Sequence, residues 1–185
     1  MQKHEPLRRD LPSANDMKLH IGGWQSREGW TILDILPRRG ADFLGSITDL
    51  SRFEANSIEA IYASHVLEHV GQNDMERVLV GIKRVLMSGG TFMVSVPDLD
   101  VLSHLFISPS LSIDQKFHVM RMIFGGQTDT ADFHHIGLNH QILYRYLQSA
   151  GFARIERVHS FGLFSDTSEL ETYGQRISLN MIAVK

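Results

Sequence analysis

The chain has 185 residues, of which 43% are hydrophobic and 21% are charged, a balance typical of one folded domain rather than of a disordered chain. It contains no cysteine, which excludes a disulfide scaffold, a cysteine zinc site and a thiol nucleophile. The formal net charge of -3 at pH 7 disfavours a nucleic-acid partner. No apolar run approaches the roughly 20 residues of a membrane-spanning helix. We therefore expect a cytoplasmic protein that binds neither nucleic acid nor membranes.

The first third of the domain is predicted to be a series of short strands. Residues 1–16 are polar and contain two prolines, and we interpret them as an N-terminal arm that precedes a single domain over 17–185. Alternating or continuous apolar patterns then predict strands over 17–21, 30–35, 42–47 and 58–63.

Helices dominate the middle of the chain. Asn73 and Glu76 have the spacing of a capping box, an apolar stripe follows over 75–86, and Ser88-Gly89-Gly90 is expected to end this helix. The remaining pattern predicts a strand over 91–96, a helix after Pro97-Asp98, helices over 113–124 and 139–150, and strands over 152–160 and 178–184.

Strands that alternate with helices predict an α/β fold. We expect a doubly wound, Rossmann-like, mostly parallel sheet of about seven strands with an antiparallel C-terminal hairpin. Residues 104–140 and 161–177 are left over and are candidate cap or substrate insertions. The apolar run Phe161–Phe164 suggests a partner surface and hence a possible homodimer.

Ligands of open parallel sheets bind beyond the carboxyl ends of the strands. The chain has no G-x-G-x-x-G there, which disfavours a dinucleotide, so a ligand without phosphates fits better. Asp34 could accept both hydroxyls of a ribose, or could be a strand-end acid that only forms a turn. The residues that follow the first four predicted strands are Gly22, Gly23, Trp24, Asp34, Thr48, Asp49, Leu50, Ser64 and His65.

The order of these residues resembles the class I S-adenosylmethionine-dependent methyltransferases. The similar segments cover roughly residues 17–160 and the closing strand. They are 19–23 (LHIGG), 29–34 (GWTILD), Asp49-Leu50, 61–69 (IYASHVLEH), 84–90 (RVLMSGG), 97–99 (PDL) and 147–152 with its Gly-Phe ending.

The resemblance implies S-adenosylmethionine as cofactor and S-adenosylhomocysteine as product. It implies that Gly22 and Gly23 lie against the methionine and ribose portions and that Asp34 binds the ribose hydroxyls. It also implies that Asp49 and Leu50 bracket the adenine.

The same resemblance implies that Ser64 and His65 lie beneath the sulfonium. Trp24 stands where such proteins usually carry another glycine, and its indole would either stack on the cofactor or fill the pocket. The link over 23–29 is too short for the helix that normally follows the first strand.

The function that follows is methyl transfer to a small-molecule or carbohydrate-type acceptor. His65 is the first candidate for a general base, because an imidazole titrates near neutral pH, and His135 is the second. An Asn/Asp-Pro-Pro-aromatic tetrapeptide is missing after the fourth strand, which argues against methylation of amino groups on nucleic-acid bases.

Two alternatives remain open. The first is a methyltransferase-fold protein that has lost catalysis and serves as a binding module. The second is a zinc hydrolase, because His65, Glu68 and His69 match H-x-x-E-H, although Gly71 follows too soon for the long helix that this motif needs. The cluster of His134, His135 and His140 is interpreted as a loop without a metal, and no metal site is predicted.

Overall fold

The computed structural model describes residues 17–37 and 40–185, so the arm expected over 1–16 lies outside the described residues. Four parallel strands form the first part of a central sheet. They are β1 (Met17–Ile21), β2 (Trp30–Asp34), β3 (Phe43–Leu44) and β4 (Ile58–Ser64).

The second part of the chain adds helices and further strands. A one-turn 3-10 helix (Leu67–His69) follows β4, and a second one (Thr167–Glu169) lies near the end of the chain. The other elements are α1 (Met75–Val85), β5 (Leu86–Pro97), α2 (Leu99–Ile107), α3 (Ile113–Phe124), α4 (His140–Ser149), β6 (Arg154–Val158), β7 (Glu171–Thr172), β8 (Gln175–Arg176) and β9 (Ser178–Val184).

Seven strands form one sheet in the order β3-β2-β1-β4-β5-β9-β6. β9 runs antiparallel to both of its neighbours, whereas the pairs on the β1 side are parallel. The predicted fold class is therefore confirmed, including the antiparallel C-terminal pair. β9 inserts between β5 and β6, so β6 and not β9 is the outer strand. β7 and β8 form a separate two-stranded ribbon.

The two faces of the sheet are covered differently. Leu19, Ile61 and Phe92 point to the face on which α1 and α4 pack, and these side chains share one buried cluster with the apolar stripe of α1. Each fully buried apolar side chain of this kind stabilises the fold by roughly 1.5–3 kcal/mol. On the opposite face, His20 lies with its ring centroid 4.1 Å from that of Phe164. Residues from the 161–177 segment thus cover β1 there.

The junction between α1 and β5 differs from the prediction. The N-cap is Asp74 rather than Asn73, and its side chain makes no capping hydrogen bond. The helix ends at Val85 and β5 begins at once, so Ser88-Gly89-Gly90 lie inside β5 instead of ending the helix. The backbone N–H of Ser57 donates to the carbonyl of Val85 at 2.9 Å, and pairing with β4 then determines the chain path.

Other boundaries agree closely with the pattern. α3 spans the predicted residues, and Ser112 with Gln115 forms a capping box at its start. Asp98 and Asn139 cap α2 and α4 through their side chains, at 3.2 Å to the N–H of Asp100 and 2.9 Å to that of Ile142. Among the described residues, no helix has the length and apolarity to cross a membrane.

Candidate active site

A cavity of about 560 Å³ opens where β1, β2 and β4 end. Six of the residues singled out in the sequence line it, namely Gly22, Asp34, Thr48, His65, His69 and His135. The sheet order places β1 between β2 and β4, so the carboxyl ends of these strands meet at one edge. Residues 46–48 and 129–132 complete the walls.

Gly22 brings the backbone close to the cavity. Its φ is +72°, and a Cβ built there would lie 2.7 Å from Cγ2 of Val66. Its N–H donates to the carbonyl of Leu33 at 2.8 Å, which holds the turn against β2. Gly23 is also required by space, since its Cβ would lie 2.4 Å from Nδ1 of His20. Gly23 does not line this cavity.

Asp34 ends β2 and is 3% exposed. Its Oδ1 accepts a hydrogen bond of 2.7 Å from the N–H of Leu36, which is the turn expected of a strand-end acid. The residue nevertheless contributes to the cavity wall. An ionised carboxylate offers about four lone-pair sites, so this turn and a ligand contact are compatible.

Asp49 and Leu50 lie away from the cavity lining. Leu50 is 4% exposed and belongs to the hydrophobic core. The Asp49 carboxylate is solvent-exposed and accepts a hydrogen bond of 3.0 Å from the N–H of Ser51. Hydrogen bonding to the side chain and the backbone of Ser51 lowers the pKa of Asp49. Ser46, Ile47 and Thr48, which precede Asp49 in the chain, line the cavity.

His65 follows β4 with a φ of +54°, in the left-handed region. Its Nε2 is 2.9 Å from Oγ of Ser178, and its Nδ1 is 3.4 Å from Oε1 of Glu68. Burial, with neighbouring His134 as the next cause, lowers the pKa of His65 to about 4. The imidazole is therefore neutral at pH 7.

Trp24 and Ser64 line a smaller cavity of about 300 Å³, which shares Gly22 with the larger one. The Trp24 side chain is 60% exposed and is not part of the larger cavity wall. Its indole therefore does not fill the space beside Asp34.

His135 reaches the larger cavity from the segment between α3 and α4. Its backbone N–H donates to the carbonyl of Glu68 at 2.7 Å, which ties this segment to the first 3-10 helix. His140, the third histidine of that cluster, starts α4 and does not line the cavity.

Two side chains of the 161–177 segment contact the sheet. Phe164 is 8% exposed and its ring packs on those of His20 and Trp30, and Oη of Tyr62 is 2.8 Å from Oδ2 of Asp166. Phe164, one of the aromatic residues that suggested a partner surface, is thus buried within the chain. Homodimer formation stays a prediction.

Sequence reasoning missed one cluster of ligating groups. Ligand atoms of Glu68, His69 and His134 all lie within 4.8 Å of one another. His65 is not part of this group, and residues 67–69 form a single 3-10 turn rather than the helix that the zinc-peptidase motif requires. His134 lies 65 residues after His69 in the chain. No local sequence pattern therefore predicts that these two side chains come together.

Comparisons with known proteins give one family match in sequence and several matches in structure. Residues 35–94, 60 of 185, match the model of a family described as a methyltransferase domain. No curated protein sequence matches significantly.

Among solved structures, an S-adenosylmethionine-dependent methyltransferase from Mesorhizobium loti is similar with a TM-score of 0.60 and 16% identity, over 95% of this chain and 94% of that one. One from Archaeoglobus fulgidus has a TM-score of 0.59 and 13% identity, over 92% and 86%. The methyltransferase CalH, solved with S-adenosylhomocysteine, has a TM-score of 0.54 and 16% identity, over 93% and 52%.

The chain has the fold of the class I S-adenosylmethionine-dependent methyltransferases, and about a third of it also matches a methyltransferase-domain model in sequence. The resemblance inferred from the sequence is thereby confirmed.

Proposed function

We propose that this chain binds S-adenosylmethionine in the larger cavity and transfers its methyl group to a small-molecule acceptor. The observation that carries the proposal is the meeting of Gly22 and Asp34 on one cavity of about 560 Å³, at the edge where β1 and β2 end. A backbone without Cβ lets a ligand approach closely, and a buried carboxylate can accept two vicinal hydroxyls.

The cofactor portions are assigned to separate parts of the wall. Asp34 would hold the ribose hydroxyls, Gly22 would pass beside the methionine portion, and residues 46–48 would border the adenine. We assign no adenine contact to Asp49 or Leu50, because neither lines the cavity.

When bound, the cofactor would supply a methyl group on a cationic sulfonium. The acceptor would take this methyl group by in-line displacement, with S-adenosylhomocysteine as the leaving group. The chain's part is to align the two partners, exclude water and receive the proton of the acceptor.

We assign the base role to His135 rather than to His65. Both residues line the cavity. Nε2 of His65 is engaged by Ser178 and its Nδ1 faces Glu68, and a pKa near 4 makes the ring a weak base. His65 would therefore shape the wall beneath the sulfonium.

An acceptor with hydroxyl groups fits the wall next to His135. Asp129 and Thr130 line the cavity and offer carboxylate and hydroxyl oxygens, whereas Asp132 also lines it but its carboxylate already accepts from Gly126 and Thr128. A polyhydroxylated, carbohydrate-type acceptor could donate its hydroxyls to them.

Calorimetric titration with S-adenosylmethionine and S-adenosylhomocysteine tests the proposal. Wild-type protein should bind both, and Asp34→Ala should lose at least about tenfold in affinity, since removing one good polar contact costs roughly 1.4 kcal/mol or more. Asp49→Ala is the matched control and should bind as wild type. Equal loss in both variants, or no binding by wild type, would overturn the cofactor assignment. Binding without transfer to any hydroxylated acceptor would favour the binding-module alternative.

A further inference from the structure

Three potential ligands converge beside the larger cavity. Glu68 and His69 come from the first 3-10 helix, and His134 comes from the segment that follows α3. One ligand atom of each lies within 4.8 Å of the other two. His69 also lines the cavity, so the cluster is at its wall.

Both imidazoles are oriented by backbone carbonyl groups. Nδ1 of His69 is 3.0 Å from the carbonyl oxygen of Phe133, and Nδ1 of His134 is 3.2 Å from that of Ile123. A carbonyl oxygen can only accept, so each Nδ1 carries a proton, and in the neutral ring Nε2 then carries the lone pair that a metal ion needs. Histidines that bind metals generally donate their other ring N–H in this way, which fixes tautomer and ring orientation.

Glu68 provides an independent observation. Glu68 is 1% exposed, and neither of its carboxylate oxygens has a hydrogen-bond partner within the described part of the chain. Buried polar groups are otherwise almost always satisfied, and an unpaired buried carboxylate is costly. A bound cation would satisfy it.

The neighbouring His65 adds to this deficit. Oγ of Ser178 donates to the carbonyl of Thr167 at 2.7 Å, so it accepts from Nε2 of His65. Nδ1 of His65 then carries a lone pair that faces Oε1 of Glu68 at 3.4 Å. Two acceptors face each other there, and either a proton or a cation must lie close to Glu68.

We propose that Glu68, His69 and His134 bind a divalent cation of the Zn²⁺ class at the wall of the larger cavity. Two imidazoles and one carboxylate suit zinc and similar transition metals rather than Mg²⁺ or Ca²⁺, which prefer oxygen ligands alone. Three protein ligands leave a coordination position for another group, as in catalytic rather than structural zinc sites. Glu68 is here a ligand and not the base that the H-x-x-E-H motif would make it.

Metal binding can be measured without any nucleoside, so its failure leaves the proposed cofactor site untouched. Chelator-treated protein is titrated with ZnCl₂ against a chromophoric competitor. Wild type should bind one Zn²⁺ per chain. His69→Gln and His134→Gln should each lower the affinity by at least about 100-fold, because even the outer-shell partners of such ligands are worth roughly 10- to 100-fold. The matched control is His104→Gln, an exposed histidine of α2, which should bind as wild type.

A second readout guards against loss of fold. Circular dichroism of each metal-free variant should match wild type, and Co²⁺ should give visible absorption bands of nitrogen and oxygen ligation in wild type but not in His134→Gln. If wild type binds Zn²⁺ no more tightly than the His69→Gln/His134→Gln double variant, the proposal is wrong, and a proton on Glu68 accounts for its contact with His65.

Discussion

Nδ1 of His65 lies 3.4 Å from Oε1 of Glu68 beside the larger cavity, although the carboxylate belongs to a residue that is only 1% exposed. Burial raises the pKa of Glu68 to about 8. In the absence of a cation the buried carboxyl therefore holds a proton at pH 7, and this costs folding free energy because the unfolded chain keeps the group ionised. Buried groups that lower stability in this way are typical of functional sites.

Glu68→Gln should stabilise the metal-free protein. The amide removes the cost of burying an ionisable carboxyl, and its N–H can donate to Nδ1 of His65. We expect the free energy of unfolding at pH 7 to rise by about 1–3 kcal/mol, as measured by urea denaturation in the presence of chelator. Glu76→Gln, on the exposed side of α1, is the control and should change stability by less than about 0.5 kcal/mol. A loss of stability in Glu68→Gln would contradict this account.

Gly22→Ala should destabilise the protein more than Gly29→Ala does. Both glycines have positive φ, +72° and +78°, so each alanine pays about 1–2 kcal/mol for the left-handed conformation. At Gly22 the new Cβ also meets Cγ2 of Val66 at 2.7 Å, whereas nothing lies within 4 Å at Gly29. Overpacking adds about 1–3 kcal/mol at Gly22.

Thermal and urea denaturation of the two glycine variants measure this difference. Val66→Ala in the Gly22→Ala background should relieve the clash between the new Cβ and Cγ2 of Val66. It should not relieve the strain of the left-handed backbone at residue 22. Equal destabilisation of the two glycine variants would show that Val66 yields to the new methyl group.

The fold was predictable because its signals are local. Period-two strands and the amphipathic stripe of α1 identify the elements, and the two late strands without an intervening helix predict the antiparallel pair. The end of α1 was predicted wrongly, because Ser88-Gly89-Gly90 looks like a helix stop while pairing of β4 with Leu86 decides the path. Tertiary pairing there overrides local preference.

The residues that line the larger cavity were predictable where they follow strand ends. Gly22, Asp34 and His65 directly follow or close β1, β2 and β4, so topology alone brings them together. The partnership of Glu68 with His134 was not predictable, because it depends on how the segment after α3 folds back. The same holds for the cover that Phe164 provides over β1.

Stability should fall in acid through His20. Burial lowers the pKa of this imidazole to about 4, although the charges of Asp166 and Asp34 oppose the shift. The unfolded chain takes up the proton near pH 6.5, so it binds more protons than the folded protein between pH 6.5 and 4. The contribution of the neutral His20 ring to the free energy of unfolding is fully present above about pH 6.5. It is lost as the pH falls towards 4, and the loss is about 3 kcal/mol at most.

His20→Phe should flatten this part of the stability profile. The phenyl ring keeps the contacts with Phe164 and Tyr62 but has no proton to bind. Urea denaturation at several pH values between 4 and 7 gives the slope for wild type, His20→Phe and the exposed control His104→Gln. Parallel profiles for wild type and His20→Phe would mean that other groups dominate the acid response.

Tyr62→Phe should loosen the 161–177 segment over the sheet. Burial is the main cause that raises the pKa of Tyr62, so the phenol stays protonated and its Oη donates to Oδ2 of Asp166 at 2.8 Å. Loss of a hydrogen bond to a carboxylate costs about 1.5–3 kcal/mol. Amide hydrogen exchange should quicken in residues 161–177 and stay unchanged in α1, which packs on the other face. Asp166→Asn keeps an acceptor oxygen and should have a smaller effect. If hydrogen exchange in residues 161–177 is as slow in Tyr62→Phe as in wild type, the segment is held by its aromatic contacts alone.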